Sequence, residues 1–502
     1  MAKRKSQSLT GAGGVGRGLR TKLEEERRRF VIGTLAKMGG QRYLRRLLAK
    51  KLDDYIQRAF VEEDSENLRS VQEKKYEFLV AMLHSAVRNM DKGYISRSVI
   101  TRLTEVFVEN CLFGSTGTRQ AEISKFEAKY RTKPPSFVVL SPTQKCNLRC
   151  KGCYAGSTAQ TAATLPYSVV DRLMGEVHDI FGARFITISG GEPLMYQSQG
   201  KTLLDLFGHY SDMFFLVYTN GTLITPELGA KLGELGNVTP AISVEGFEKE
   251  TDDRRGKGTY AKLLRAFRNL RGAGVPFGVS VTATSRNVDL LLTEEFYDFF
   301  FKEQGITYMW QFQLMPIGRG RQVLDQVVSP EKRVELYRMW ERMLKANKYC
   351  VADFWNSGVL SNGCIAYGRD GGYIYIDWDG NVTPCVFIPY YVDNINNLYR
   401  DGKTIADALF SRFMKNGRKW QEEYGLANPR MPMNWLMPCS IRDHYECFRT
   451  SILPSDVKPE NPSAAEILRS HDYYLALSEY DSKLERLTES IWRDEYLEQP
   501  KD

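Results

Sequence analysis

An apolar, β-branched run, Phe137-Val138-Val139-Leu140, leads into Cys146-Asn147-Leu148-Arg149-Cys150-Lys151-Gly152-Cys153. The run predicts a strand, and the segment after it gathers three thiols in one loop at the strand's carboxyl end. Five more runs of the same type follow: Phe185-Ile186-Thr187-Ile188, Phe214-Phe215-Leu216-Val217-Tyr218, Ala241-Ile242-Ser243-Val244, Gly278-Val279-Ser280-Val281-Thr282 and Tyr308-Met309-Trp310-Gln311-Phe312. Amphipathic stretches separate them, with helices expected over 168–181, 260–271 and 331–344. Strand-helix alternation of this kind means a parallel sheet, either open and doubly wound or barrel-like. In both, chemistry collects where the strands end, which is where the thiol loop falls.

The rest of the chain bounds what that chemistry serves. At 502 residues, 42% hydrophobic and 26% charged, it has the length for two or three domains and an ordinary globular composition, which excludes a fibrous or wholly disordered protein. Its most apolar stretches, such as 296–301, are far shorter than the roughly 20 residues a bilayer crossing needs. The start, Met1-Ala2-Lys3-Arg4-Lys5, continues into Ser, Thr and Gly rather than an apolar signal core, so a cytoplasmic location is expected. Nine cysteines, an odd number with three inside eight residues, point to thiolate ligands in a reducing compartment rather than to disulfides.

Charge is unevenly placed. Residues 1–51 hold 15 Lys or Arg and 3 Glu, a local net of +12, so the remainder offsets it by about −4 to give the total of +8. The first 20 residues read as a flexible basic tail, and Gly11, Gly13 and Gly16 within it follow no strand and so form no dinucleotide site. Helical spacing then runs to about residue 126, with Leu44, Leu47, Leu48, Leu52 and Ile56 on one face and Arg42, Arg45, Arg46, Lys50 and Lys51 beside them. Such a basic amphipathic segment suits an anionic membrane surface. A solvated basic face on a helix docked to the protein body is the alternative, and without an RNA-binding motif no nucleic acid is expected.

A C-x3-C-x2-C triplet should arise by chance on the order of a few times per thousand chains of this composition. Three thiolates on a 4Fe-4S cubane, which normally takes four, leave one iron free for another ligand. A zinc site completed from elsewhere is the alternative. Here the chain resembles the radical S-adenosylmethionine (SAM) superfamily. Beyond the thiols, Ser189-Gly190-Gly191-Glu192-Pro193 is similar to its GGEP motif, and Tyr218-Thr219-Asn220-Gly221 and Ser243-Val244-Glu245-Gly246 to its SAM-contacting strand ends. Asp253-Arg254-Arg255-Gly256 resembles the segment whose Arg pairs with the SAM carboxylate, a role falling on Arg255. Gly152 stands where relatives often have an aromatic residue, so Tyr154 is expected to supply that packing, and Glu245 replaces a common Asp. The resemblance implies cluster ligation by Cys146, Cys150 and Cys153, and SAM contacts from Gly190, Gly191, Glu192, Pro193, Asn220, Ser243, Glu245 and Arg255. It further implies reductive cleavage of SAM to a 5′-deoxyadenosyl radical, which abstracts hydrogen from an unactivated carbon.

Past residue 348 the texture changes to Gly, aromatic and Cys residues, with a hairpin expected where Tyr373-Ile374-Tyr375-Ile376 and Val382-Thr383 flank Asp379-Gly380. Cys364 and Cys385, spaced around Gly380, resemble the opening of a SPASM or Twitch extension. With Cys439 and Cys447 they imply a second, auxiliary 4Fe-4S cluster, since a full SPASM extension brings about seven cysteines. Cys111 and Cys350 read as buried bystanders, and His444 as a local hydrogen-bonding residue. The fold class expected is α/β: a partial (β/α)6 TIM-like barrel with a helical N-terminal domain and a small Cys-rich C-terminal extension. Its divisions would be a tail over 1–20, a helical domain over 21–130, the barrel over 131–348, the auxiliary-cluster region over 349–460 and a C-terminal helix over 461–502. The basic segment over 21–56 directs the substrate expectation to a membrane lipid chain and the location to the inner membrane face. A peptide or cofactor precursor is the alternative substrate. A non-catalytic iron-sulfur carrier or a zinc-stabilised binding protein is the alternative of another class. A flavodoxin or ferredoxin is the expected reductant.

Overall fold

A computed structural model describes residues 29–35, 37, 38, 42–64, 66–112 and 117–498. The Gly-rich tail and its Gly11, Gly13 and Gly16 lie outside them. The N-terminal part is helical, with α1 (Arg42–Gln57), α2 (Arg69–Asp91), α3 (Arg97–Leu103) and α4 (Gly117–Tyr130).

All six apolar runs are strands. β1 (Phe137–Leu140), β2 (Phe185–Ile188), β3 (Phe214–Thr219), β4 (Val238–Val244), β5 (Gly278–Ala283) and β6 (Tyr308–Gln313) pair in parallel in that order. The crossovers carry α5 (Tyr167–Asp179), α6 (Leu203–His209), α7 (Pro226–Leu235), α8 (Glu248–Arg255) and α9 (Thr259–Gly272), and α10 (Pro330–Lys345) follows β6. Local sequence sets their ends. In α7 the Thr225 side chain accepts from the Leu228 N–H ahead of Pro226, and Gly236 closes the helix at φ +66°, a left-handed conformation that favours glycine.

The sheet continues beyond the six strands on both sides. β7 (Val351–Asp353) adds in parallel to β6, and β8 (Tyr373–Ile376) adds in parallel to β1 on the opposite edge. The expected hairpin joins β8 to β9 (Asn381–Thr383), and β10 (Asp393–Asn394) completes a ten-stranded order β10-β9-β8-β1-β2-β3-β4-β5-β6-β7. The sheet does not close on itself, so the barrel is partial. In the hairpin turn Asp377 accepts the N–H groups of Asp379 and Asn381 at 2.9 and 2.8 Å, and Gly380 takes φ +85°. The Cys-rich segment is thus built onto the barrel's first strand.

Further along lie α11 (Arg412–Gln421), α12 (Ser440–Asp443), α13 (Pro462–Arg469) and α14 (His471–Trp492). Val71 and Ala81 of α2 and Phe126 of α4 are buried in the same apolar core as the sheet, at a typical gain of about 1.5–3 kcal/mol for each large apolar side chain buried. Met38, Ala49, Leu52 and Val87 form a separate, smaller cluster under α1. Of the basic residues on α1, Arg45 is buried, donating to the Met38 carbonyl and pairing with Asp91 at 2.6 Å, and Arg42 and Arg46 also reach Asp91. Lys50 and Lys51 are exposed, and so are Tyr43, Leu44 and Leu47. Among the described residues no helix is long and apolar enough to cross a membrane.

Candidate functional site

Strand alternation turns Phe137 and Val139, Phe185 and Thr187, Leu216 and Tyr218, Ser243, Ser280 and Thr282, and Trp310 and Phe312 toward one cavity of about 250 Å³. The thiol loop covers it at the carboxyl ends of the strands, so Cys146, Cys150 and Cys153 all line it.

The loop is pinned from three sides. Cys146 N donates to the Thr158 carbonyl at 3.1 Å, Lys151 N to the Arg254 carbonyl at 2.9 Å, and the Lys145 carbonyl accepts from Glu192 N at 2.8 Å. That last contact explains Gly190 and Gly191. A Cβ on Gly191 would lie 2.3 Å from the carbonyl oxygens of Gln144 and Lys145, and one on Gly190 would lie 2.6 Å from that of Thr143. The glycines therefore let the loop after β2 lie against the thiol loop, a closer constraint than approach to a ligand alone.

Eight of the expected site residues line the cavity: the three thiols, Gly190, Gly191, Asn220, Ser243 and Arg255. Glu192, Pro193 and Glu245 stand behind its wall. The buried Glu192 carboxylate accepts from Leu194 N, Thr219 Oγ1 and Asn220 N at 3.1, 2.7 and 2.7 Å, tying the loop after β2 to the end of β3. Burial raises its pKa, and those three donors oppose the rise. Pro193 opens a short helical turn. Glu245 holds Arg254 at 2.7 Å and Arg255 at 2.5 Å, so one buried carboxylate orients two guanidiniums at the thiols. Asn220 bridges to Asn147 Oδ1 at 2.7 Å, with Cys146 Sγ 3.8 Å from the same nitrogen. Tyr154 also lines the cavity, its hydroxyl 2.9 Å from Ser189 Oγ and its ring edge-on to Phe387.

Burial dominates the thiol electrostatics. It pushes Cys146 up to about 11 and raises Cys150, which Arg255 and Arg254 pull back toward ionisation. Cys150 and Cys153 raise Cys146 further, and Cys153 raises Cys150. A positively charged group bound between them would reverse that balance. The donor set, with its two arginines, therefore fits a cluster held by Cys146, Cys150 and Cys153.

Two arginines at this site were not legible as such. The sequence pattern favours Arg255 over Arg254, yet both face the cavity. Arg319 donates to the carbonyls of Cys150 and Ser157 and lines the cavity too. Its signal was Gly318-Arg319-Gly320 after β6: Gly318 sits at φ +54°, and a Cβ there would lie 2.0 Å from the Tyr154 carbonyl oxygen.

Among the C-terminal cysteines, Cys364 raises the Cys385 thiol, and both raise that of Cys439, on top of the larger effect of burial. Cys385 Sγ accepts from Tyr373 Oη at 2.9 Å. Cys447 has Ser451, Glu423 and Glu446 as its neighbours. His444 donates from Nε2 to the Met437 carbonyl at 2.8 Å and packs against Tyr424, the local role expected of it. Cys350 is buried and raised to about 12 by burial, while the side chain of Cys111 lies outside the described residues.

Among the described residues, the one trio of potential ligands with all ligand atoms within 4.8 Å of one another is Glu122, His178 and Asp179. Neither thiol trio is drawn that tightly, whereas a single tetrahedral zinc with Zn–S near 2.3 Å brings its sulfurs to about 3.8 Å. A cluster, which spreads its thiolates over several irons, suits the wider spacing better.

Comparison with known proteins agrees with this chemistry. The family model for the radical SAM superfamily matches residues 140–289. The AdoMet-dependent heme synthase of Methanosarcina barkeri is 28% identical over 291 residues, covering 53% of this chain and 80% of its own. The mycofactocin maturase MftC of Mycolicibacterium smegmatis is 29% identical over 318 residues, covering 61% of this chain and 75% of its own. The crystal structure of Streptococcus suis SuiB bound to precursor peptide SuiA is 14% identical with a TM-score of 0.49, covering 65% of this chain and 84% of that one.

Proposed function

We propose, from the premise that this chain belongs to the radical SAM superfamily, that it modifies a peptide or a cofactor precursor. It is an enzyme of that superfamily, its cofactors are a 4Fe-4S cluster and SAM, and it needs an external reductant. When bound, cluster and SAM supply a 5′-deoxyadenosyl radical able to take a hydrogen atom from an unactivated carbon.

The chain's own residues do the rest. Cys146, Cys150 and Cys153 would hold the cluster, and Arg254 and Arg255, fixed by Glu245, would neutralise thiolate charge and receive the SAM carboxylate. Asn220 keeps the Cys146 segment in register with β3. Tyr218, Trp310, Phe312, Phe354 and Phe387 wall the cavity with rings at centroid distances of 5.4 to 6.5 Å. That aromatic wall carries the reading: it excludes water from a radical and packs a flat or aromatic group of the substrate. The relatives named for heme and mycofactocin chemistry support the same substrate range, and a membrane lipid chain is not carried forward as the substrate.

Comparative mass spectrometry of cell extracts treated with the reconstituted enzyme, SAM and dithionite tests this. A mass change in the peptide or small-molecule fraction, with deuterium from labelled substrate recovered in 5′-deoxyadenosine, is expected. Changes confined to lipids would restore the lipid reading. A flavodoxin or ferredoxin is the donor proposed to replace dithionite.

Peripheral attachment to an anionic membrane is a proposal about α1 only, supported by exposed Tyr43, Leu44 and Leu47 among Arg42, Arg46 and Lys50. Sedimentation with phosphatidylserine vesicles should fall at least several-fold in Leu44→Glu/Leu47→Glu. Equal sedimentation of variant and parent would end this part of the reading.

A further inference from the structure

We infer that Tyr373 is a positioning residue for a second iron-sulfur cluster, a hydrogen-bond donor to its Cys385 thiolate that links that cluster to the substrate cavity. This rests on the reading of Cys364, Cys385 and Cys439 as cluster ligands, and goes beyond it by assigning the group that sets the cluster's potential.

The placement begins with strand register. β8 pairs with β1 so that Tyr373 stands opposite Phe137, and the two rings stack at 5.1 Å and 20°. Both rings line the cavity. Tyr373 is 2% exposed, and its hydroxyl points past the wall to Cys385 Sγ at 2.9 Å. One side chain therefore has its apolar face in the cavity and its polar tip on a thiol of the second trio. The segments beside two of those thiols share the wall, through Ile365 next to Cys364 and through Val386 and Phe387 next to Cys385.

The donors at the two thiol trios differ. Cys146 Sγ accepts from Leu148 N at 3.5 Å and lies 3.8 Å from Asn220 Nδ2. Cys385 Sγ has a comparable backbone donor, Phe387 N at 3.5 Å, and in addition the phenol at 2.9 Å. A hydrogen bond to a ligating sulfur withdraws electron density and favours the reduced, more negative cluster, so it raises the reduction potential. Because the Tyr373 ring is a cavity wall, whatever packs there bears on the geometry of the same bond.

The test uses the full chain with Cys146→Ala, Cys150→Ala and Cys153→Ala, which removes the first thiol trio, reconstituted anaerobically and titrated under electron paramagnetic resonance. About four irons per chain should remain. Tyr373→Phe in that background should keep the iron count and move the midpoint potential to a more negative value. Phe387→Leu, which alters the same wall and leaves the hydroxyl in place, should move it less. Should Tyr373→Phe lose iron, 3,5-difluorotyrosine at position 373, a stronger donor of similar shape, should instead move the midpoint to a more positive value. Equal midpoints for Tyr373 and its replacements at equal iron content would overturn the inference. Absence of iron from the triple variant itself would instead remove the cluster reading on which it rests.

Discussion

Cys150→Ala should reduce 5′-deoxyadenosine formation from SAM to the level of iron-free protein and lower the iron content by about four per chain. The effect is expected to be complete because Cys150 is the thiol that faces the paired arginines, and its loss leaves two sulfurs to hold the cluster against solvent. Asn220→Ala should behave differently. It removes a bridge between β3 and the thiol loop while leaving all three ligands, so a loss of about 10- to 100-fold in activity or cluster retention is expected, the usual range for a group that supports a ligand without being one. Iron analysis and product chromatography on the two variants separate the cases. Full activity in Cys150→Ala would contradict ligation by this loop.

The second large effect is on stability. Arg333 on α10 and Asp443 on α12 have 1% and 0% of their side chains exposed and are joined by two bonds, Nη1–Oδ1 at 2.5 Å and Nη2–Oδ2 at 3.0 Å. Asn356 Oδ1 accepts from the same guanidinium at 3.1 Å. Arg333→Met strands a buried carboxylate and should cost about 3–5 kcal/mol, a large share of the roughly 5–15 kcal/mol that holds a typical domain folded. Arg333→Met/Asp443→Leu should recover most of that, because the cost lies in the unpaired charge more than in the lost attraction. Denaturant unfolding of the reconstituted protein measures both. There is a second readout: Asp443 Oδ2 also accepts from Cys439 N at 3.1 Å, so the single variant should lose iron from the C-terminal trio before the barrel unfolds. Unchanged unfolding in Arg333→Met would mean that water reaches the carboxylate.

Local pattern was enough for the six barrel strands and for the thiol loop. Period-two and apolar runs, turn residues and a C-x3-C-x2-C spacing are properties of a few consecutive residues, and they survive into the fold because each strand meets its neighbours in chain order. Glu192 and Glu245 were found as residues of the right neighbourhood, but their direction was not. Whether a carboxylate faces a cavity or caps the N–H groups and guanidiniums behind it depends on partners such as Thr219, Asn220 and Arg254, which only the packed loops bring within reach.

What tertiary structure alone decided is the edge of the sheet. β8 lies more than 200 residues from β1 in sequence, and nothing local in Tyr373-Ile374-Tyr375-Ile376 distinguishes pairing there from pairing elsewhere. That register brings the Tyr373 ring to the cavity and its hydroxyl to Cys385 Sγ. Residue identity determined which chemistry the chain could perform, through thiols, arginines and glycines at fixed spacings. Long-range strand pairing determined which of those groups meet, because hydrogen-bond register between distant segments is set by the whole packed sheet rather than by any one stretch of the chain.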